Sequence, residues 1–268
     1  MTNNESRPLT CRLCGYSPLK PFYTQGNRDE FAFHRCPNCR LVNYHLTDGL
    51  DQEKYAVVFV DPLDELHRRN IAQNTTHRFL KRWLPTPGRM LDIGCGNGRL
   101  LHLARRDGWD VSGLELSTFL AESVTARLGI EVVVADYLEY SPGKDEVFDL
   151  VLLRHVLEHL IEPKRAMMGI AALLKEGGCA LLEFPNIDGL DTRLKRWMRV
   201  TGLHRKKYSD AWRPGHCNEY CRQSFEYLLG ETGFELVVWE TYSFRPFSNF
   251  LFNRLHIGNK ARAIIRKR

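Results

Sequence analysis

Apolar and polar positions follow different periods along the chain, and the changes of period divide it. Up to about residue 48 the sequence is rich in cysteine, proline, asparagine and aromatic residues and has little helical periodicity. From Asp64 to Leu84 it turns into a long helix candidate, which the Pro85-Thr86-Pro87-Gly88 run brings to an end. Beyond that breaker, strand patterns at Arg89–Ile93, Asp110–Leu114, Glu131–Ala135, Phe148–Leu153 and Cys179–Phe184 alternate with helix patterns at Arg99–Asp107, Thr118–Leu128 and Lys164–Leu174. Ser117 is the expected N-cap of the second of these helices. A further helix over Ser224–Glu231 precedes a strand over Phe234–Tyr242. This alternation predicts an α/β fold, a doubly wound and mostly parallel sheet with helices on both faces. Ligands in such sheets bind beyond the carboxyl ends of the strands. The chain then divides into a small module (1–50), a helical linker or lid (51–88), an α/β domain (89–243) carrying an insertion (186–220), and a basic tail (244–268).

Composition narrows the class. Of the 268 residues 43% are hydrophobic and 26% charged, enough for a sizeable core in a globular protein. Charges interrupt every apolar stretch, so no run approaches the roughly 20 residues that cross a bilayer. The polar start, MTNNESRPLT, lacks an apolar signal segment, and a cytoplasmic location is expected. In a reducing compartment the eight cysteines read as ligands or buried thiols, not as disulfides. The formal charge of +6 gathers in Arg193, Lys195, Arg196, Arg199, Arg205, Lys206 and Lys207, and again from Lys260 to Arg268. Such patches suit phosphates, an acidic substrate or an anionic membrane surface, although scattered basic residues are first of all a solvated face.

The most informative stretch is Asp92-Ile93-Gly94-Cys95-Gly96-Asn97-Gly98, at the end of the first strand of the alternating region. Three glycines in five residues let backbone approach a ligand closely, and the helix that follows turns its free N–H groups to the same crevice. The spacing is G-x-G-x-G, not the G-x-G-x-x-G that seats a pyrophosphate, and an aspartate precedes it. An acidic group there suits a cofactor with a positive sulfonium and amino group. Glu115 ends the second strand, placed to accept two ribose hydroxyls; Asp136 ends the third, placed for an adenine amino group, with Tyr137 or Leu138 against the ring. Local alternatives are a helix-dipole role for Glu115 and a turn role for Asp136.

The strings MLDIGCGNGRLL, GLELS, ADYLEY, FDLVLLRHVLEHL and LKEGGCALLEFPN resemble the successive motifs of class I S-adenosylmethionine-dependent methyltransferases, over about residues 70–242. The resemblance implies a seven-stranded, mostly parallel, Rossmann-like sheet. It also implies that Asp92, Gly94, Cys95, Gly96, Asn97 and Gly98 line the methionine half of the cofactor, that Glu115 and Leu116 meet the ribose side, and that Asp136 and Tyr137 meet the adenine. Arg154 or His155 would lie beside the transferred methyl. The insertion 186–220 would cap the substrate pocket. Family members usually end on an antiparallel strand, whereas the tail SFRPFSNFLFNRLHIGNKARAIIRKR reads as loop and basic helix. Either a strand is hidden near Phe244–Phe252 or the sheet is one strand short.

Cys11-x-x-Cys14 and Cys36-x-x-Cys39 form two knuckles, and two knuckles supply the four-thiolate shell that zinc prefers. A module this short needs a metal for its folding free energy. The pattern resembles the zinc ribbon found ahead of the catalytic domain in some bacterial methyltransferases of sugar, polyketide or cell-surface pathways, and four thiolates make the zinc structural.

His155-Val156-Leu157-Glu158-His159 matches the H-x-x-E-H signature of inverted zinc proteases. That reading is set aside, because the motif follows a strand at the crevice and no distant third ligand stands out. His155 and His216 are the candidate general bases for deprotonating a methyl acceptor. The sequence thus predicts methyl transfer to an O or C atom of a small molecule, a sugar, polyketide or lipid-linked intermediate. An RNA methyltransferase and an inactive adaptor are the rivals. Nucleic acid is not the expected partner, since the fourth strand ends in Leu-Arg-His and no dense basic run with interleaved aromatics is present. The basic, aromatic stretches 193–207 and 244–268 suggest a peripheral contact with anionic membrane.

Overall fold

The computed structural model describes residues 9–44, 59–140, 143, 147–203, 207–209, 212–243 and 249–268. Near the N-terminus three short antiparallel strands, β1 (Lys20–Gln25), β2 (Phe31–Arg35) and β3 (Val42–Tyr44), form a ribbon. Successive side chains of a strand point to opposite faces, so Phe31, Phe33, Val42 and Tyr44 share one buried face. Tyr23 stacks on Phe33 with ring centroids 4.4 Å apart, and Phe33 on Tyr44 at 5.0 Å. A fourth strand arrives from the distant insertion. In it Glu219 pairs with Val42 and Asn218 with Asn43, so the module is completed by residues far along the chain.

The main sheet contains, among the described residues, β4 (Arg89–Ile93), β5 (Asp110–Glu115), β6 (Val132–Val134), β7 (Phe148–Arg154), β8 (Leu174–Pro185), β10 (Phe234–Tyr242) and β11 (Lys260–Lys267), the insertion strand Asn218–Glu219 being β9. Their order is β10-β11-β8-β7-β4-β5-β6. β8, β7, β4, β5 and β6 pair in parallel, while β11 runs antiparallel between β8 and β10. Neighbouring residues feed opposite faces. Leu91, Ile93, Val151 and Leu153 pack toward α4 (Pro163–Leu173) and α6 (Arg222–Thr232). Met90, Leu150, Leu152 and Leu181 pack toward α1 (Arg68–Trp83), α2 (Arg99–Arg106) and α3 (Thr118–Leu128). Each fully buried side chain of this size contributes about 1.5–3 kcal/mol, so burial on both faces is what holds the sheet.

Local signals place several ends. Ser117 accepts a hydrogen bond from the Leu120 N–H at 3.3 Å and caps α3, and Pro163 starts α4. The tail is a correction to the sequence reading. Residues 244–248 lie outside the described residues and Asn249–Arg254 is a short helix, α7, so no strand is found at 249–252. The last strand is β11, which pairs with β8 from Lys260 opposite Pro185 to Arg266 opposite Cys179. Its Ala261, Ala263, Ile264 and Ile265 are buried, and that burial overrides the basic composition that suggested a helix. The sheet therefore has its seven strands.

Between β8 and β9 the insertion carries α5 (Leu190–Val200). No residue of α5 is buried. Leu190, Leu194, Trp197 and Val200 are all exposed, with Trp197 at 56% and Val200 at 83%. An amphipathic helix ordinarily turns its apolar stripe inward. Here the stripe faces outward.

Candidate functional site

At the carboxyl end of β4 the chain enters the glycine loop. Gly94, Gly96 and Gly98 have φ of +70°, +59° and +74°, the left-handed region that a Cβ disfavours. At Gly98 a Cβ would also lie 2.7 Å from Val124 of α3. At Gly96 nothing stands within 4 Å, which leaves that side of the loop open. Gly98 is the N-cap of α2, so that helix begins at the crevice.

The outer side of the loop is clamped by α1. The Asn97 amide donates to Asn70 Oδ1 at 2.9 Å and to the Val60 carbonyl at 2.8 Å, and accepts from Gln73 at 2.9 Å. Gln73 also accepts from the Leu100 N–H, and Asn74 from Arg99. The Asn97 side chain thus serves the scaffold. Cys95 likewise points inward, its Sγ packed over Gly113. Both contribute to the crevice only through their backbone.

Asp92 is 1% exposed, and neither carboxylate oxygen has a hydrogen-bond partner among the described residues. Burial pushes its pKa up to about 7; the nearby Arg154 opposes this, while Glu115 and Glu183 add to it. A buried, unpartnered carboxylate is expensive and is met at sites that receive a cationic or hydrogen-bonding ligand. That is the requirement a positive amino and sulfonium group would meet. Glu115, partly buried at the end of β5, accepts from the Gly96 N–H at 2.9 Å and the Ser117 N–H at 3.1 Å. These two bonds fix its carboxylate beside the loop. Asp136 is exposed after β6, and its Oδ1 accepts from the Leu138 N–H at 2.8 Å, which closes a turn. Leu116 is 70% exposed at the rim. Tyr137 departs from expectation. Its ring is buried against Gly169 and its hydroxyl donates to the Ala166 carbonyl, so it belongs to the core under α4 and cannot face an adenine.

β7 runs beside β4, and its end brings the second half of the site. Arg154 Nε donates to Glu183 Oε2 at 2.8 Å, and Thr76 of α1 donates to Glu183 Oε1 at 2.7 Å. Burial would raise the Glu183 pKa, but Arg154 and Thr76 hold it below its ordinary value. Glu183 went unnoticed in the sequence because it lies inside an apolar strand, and a charged residue in such a run was the available signal. His155 follows with φ +56°, unusual for a residue with a Cβ. Its imidazole lies between two partners, with Nδ1 3.2 Å from Glu158 Oε1 and Nε2 3.1 Å from Lys260 Nζ. With Lys260 donating to Nε2, the Nδ1–H donates to Glu158, which selects one tautomer. Lys260, the first residue of β11, was missed because the tail was read as a helix.

His216 joins this cluster. Its ring meets that of His159 edge-on at 5.0 Å, and the His159 Nδ1–H donates to the Gly215 carbonyl at 2.7 Å. Glu158, His159 and His216 each offer one donor atom, all within 4.8 Å of one another, and Glu158 Oε2 is buried without a partner. His155 lies outside this set, so the set does not complete the H-x-x-E-H signature. Carboxylate and imidazole donors in such a set can hold a divalent cation. Burial lowers the pKa of His216, and Glu158 partly restores it.

The four N-terminal cysteines converge as well. Cys11 and Cys39 sulfurs are 3.5 Å apart, as are those of Cys14 and Cys36, and all four lie within 4.8 Å of one another. A zinc tetrahedron with 2.3 Å bonds has sulfur–sulfur edges of about 3.8 Å, so the cage is of the right size. The two knuckles match. The Gly15 N–H returns to Cys11 O and the Arg40 N–H to Cys36 O, and Gly15 and Arg40 both take positive φ. The cluster fits a zinc-ribbon module. Arg12, inside the first knuckle, donates to the Cys217 and Tyr44 carbonyls and ties the module to the segment carrying His216.

A methyltransferase-domain family model matches residues 63–238, which contain the glycine loop, both strand-end carboxylates and the histidine cluster. The chain belongs to the methyltransferase-domain family. Among curated relatives it is 31% identical over 118 residues to the ubiquinone biosynthesis O-methyltransferase of Pectobacterium carotovorum subsp. carotovorum, an alignment covering 41% of this chain and 46% of that protein. The chain spans about half the length of such relatives. It is also 34% identical over 159 residues to the uncharacterized protein MJ1123 of Methanocaldococcus jannaschii, covering 59% of this chain and 71% of that one. Among solved structures, the PH0226 protein of Pyrococcus horikoshii aligns with a TM-score of 0.58 and 17% identity, over 78% of this chain and 95% of that one. The magnesium protoporphyrin IX methyltransferase of Synechocystis, solved with bound S-adenosylhomocysteine, aligns with a TM-score of 0.54 and 17% identity, over 74% and 83%. At these identities the structures share the fold. Among the described residues no helix is long and apolar enough to cross a membrane.

Proposed function

We propose that this methyltransferase acts on an oxygen or carbon of a small molecule, a sugar, polyketide or lipid-linked intermediate, with His155 as the group that takes the acceptor's proton. The observation that carries this reading is the imidazole of His155, aimed and hydrogen-bonded by Glu158 at the end of the strand beside the glycine loop. When bound, S-adenosylmethionine supplies an electrophilic methyl group. Asp92 and the loop glycines would hold its amino acid half, Glu115 and Leu116 the ribose side and Asp136 the adenine amino group. The orphaned oxygens of Asp92 support that assignment. An acceptor hydroxyl would exchange with Lys260 at His155 Nε2 and lose its proton there, while Glu158 stabilises the imidazolium. His216 stands behind Glu158 as the second candidate. Relatives named as ubiquinone biosynthesis O-methyltransferases support oxygen as the acceptor atom.

Two further parts belong to this reading. The Cys11, Cys14, Cys36 and Cys39 cage holds a structural zinc, which leaves no open position for substrate. The outward stripe of α5, flanked by Arg193, suits peripheral contact with an anionic membrane. Arg205 and Lys206 of the same basic stretch lie outside the described residues. The test is transfer from methyl-labelled S-adenosylmethionine to fractionated acceptor pools. Label is expected in small molecules or lipid extract. Label confined to RNA would overturn the acceptor class, and absence of S-adenosylmethionine binding would leave only the adaptor reading.

A further inference from the structure

Beneath α5 lies a cavity of about 400 Å³, between that helix and strand β1 of the zinc-ribbon module. Its size suits a small ligand. The wall from α5 is made by Thr192, Lys195, Arg196 and Arg199, the face opposite the exposed Leu190, Leu194 and Trp197 stripe. A helix with its apolar side in solvent and its cations over a cavity is inverted relative to ordinary packing.

The cations differ in their partners. Lys195 pairs with Asp191 at 2.6 Å, and Arg199 with Asp29 at 2.5 Å. Arg35, next to this wall, pairs with Asp188 at 2.6 Å. Arg196 has no carboxylate within salt-bridge distance among the described residues, although Asp188 acts on it from farther off. Its guanidinium lies 4.2 Å from the Phe22 ring centroid, the ring that Arg35 also covers at 4.0 Å, and its Nη1 is buried without a hydrogen-bond partner. Guanidinium forks and phosphate oxygens match in geometry and charge. Glu219 also lines the cavity and accepts from the Tyr23 hydroxyl at 2.6 Å.

Position ties the cavity to the reaction. Glu219 follows His216 closely on one short segment, and Ile187, on the cavity wall, lies just past the end of β8. Given a small-molecule methyl acceptor, on which this inference rests, we propose that the cavity seats a phosphate group carried by that acceptor, with Arg196 as the anion anchor.

The probe is inorganic pyrophosphate, titrated by calorimetry into the full chain, the variant Arg196→Ala and the outward control Arg193→Ala. Binding to the wild type and the control, weakened at least about tenfold in Arg196→Ala, is expected for loss of one charge-assisted contact. No binding by the wild type, or equal binding by Arg196→Ala, overturns the proposal. S-adenosylmethionine titrated into the same three proteins should bind equally, and this shows that the variant is folded. Its failure in all three would strike the methyltransferase reading, while pyrophosphate still reports on the cavity. Vesicles of phosphatidylglycerol distinguish the sources. If pyrophosphate competes with their Arg196-dependent binding, the phosphate belongs to a lipid; if vesicle binding ignores both, it belongs to a soluble phosphate ester.

Discussion

Replacing Asp92 by asparagine should make the unliganded protein more stable and the enzyme worse. Burial raises this carboxyl from its ordinary 3.8 to about 7. At about 1.4 kcal/mol per pH unit, holding it ionised costs the folded state about 4 kcal/mol above pH 7. The sign follows from the raised value. Below pH 3.8 the group is protonated in both states and costs nothing; the cost grows as pH rises and is complete above about 7. Asparagine removes the charge but leaves a buried amide with few partners, which takes back about 1–3 kcal/mol. A net gain of about 1–3 kcal/mol at pH 8 corresponds to a melting point roughly 2–10 °C higher for a chain of this size. At pH 5 the gain should vanish. S-adenosylmethionine loses a charged partner worth about 1.5–3 kcal/mol, so its affinity should fall about 10- to 150-fold. Wild-type affinity should itself weaken as pH drops below 7, because the protonated carboxyl must be deprotonated on binding. Thermal unfolding at pH 8 and 5 with calorimetry of the cofactor checks all of this. A variant that melts lower than wild type at pH 8, or that binds the cofactor as tightly, would refute the reasoning.

Other outcomes follow from the same geometry. Purified protein should carry about one zinc per chain, and Cys36→Ser should lose the metal and lower the melting temperature; metal-free protein that is folded and active would remove the ribbon assignment. His155→Ala should lower turnover about 100- to 10,000-fold with cofactor affinity unchanged, and His216→Ala should lower it too; turnover at the wild-type rate in either variant ends that residue's catalytic role. Leu194→Glu combined with Trp197→Glu should abolish co-sedimentation with anionic vesicles, and failure of the wild type to sediment would dismiss the membrane contact.

Much of the site could be read from the sequence because its signals are local. The glycine loop needs positive φ within five residues, Ser117 caps a helix three residues on, and each C-x-x-C knuckle closes on itself. Strand periodicity alone placed Asp92, Glu115 and Asp136 at successive strand ends, because a parallel sheet with helical crossovers brings every strand end to one edge. The decisions left to tertiary structure involve residues far apart in the chain, where packing outweighs local pattern. β11 reads as a basic tail until its alternate residues are buried between β8 and β10, and only that insertion delivers Lys260 to His155. Glu183 looks like a misplaced charge until Arg154 and Thr76 meet it. Tyr137, one residue after a crevice aspartate, turns into the core because apolar burial under α4 is worth more than a rim position. The zinc ribbon and the insertion look like separate pieces, yet β9 completes the ribbon and leaves α5 with its apolar side outward. Loop and cage geometry was legible because short-range backbone conformation dictates it; the histidine cluster and the basic cavity exist only where distant strands pair.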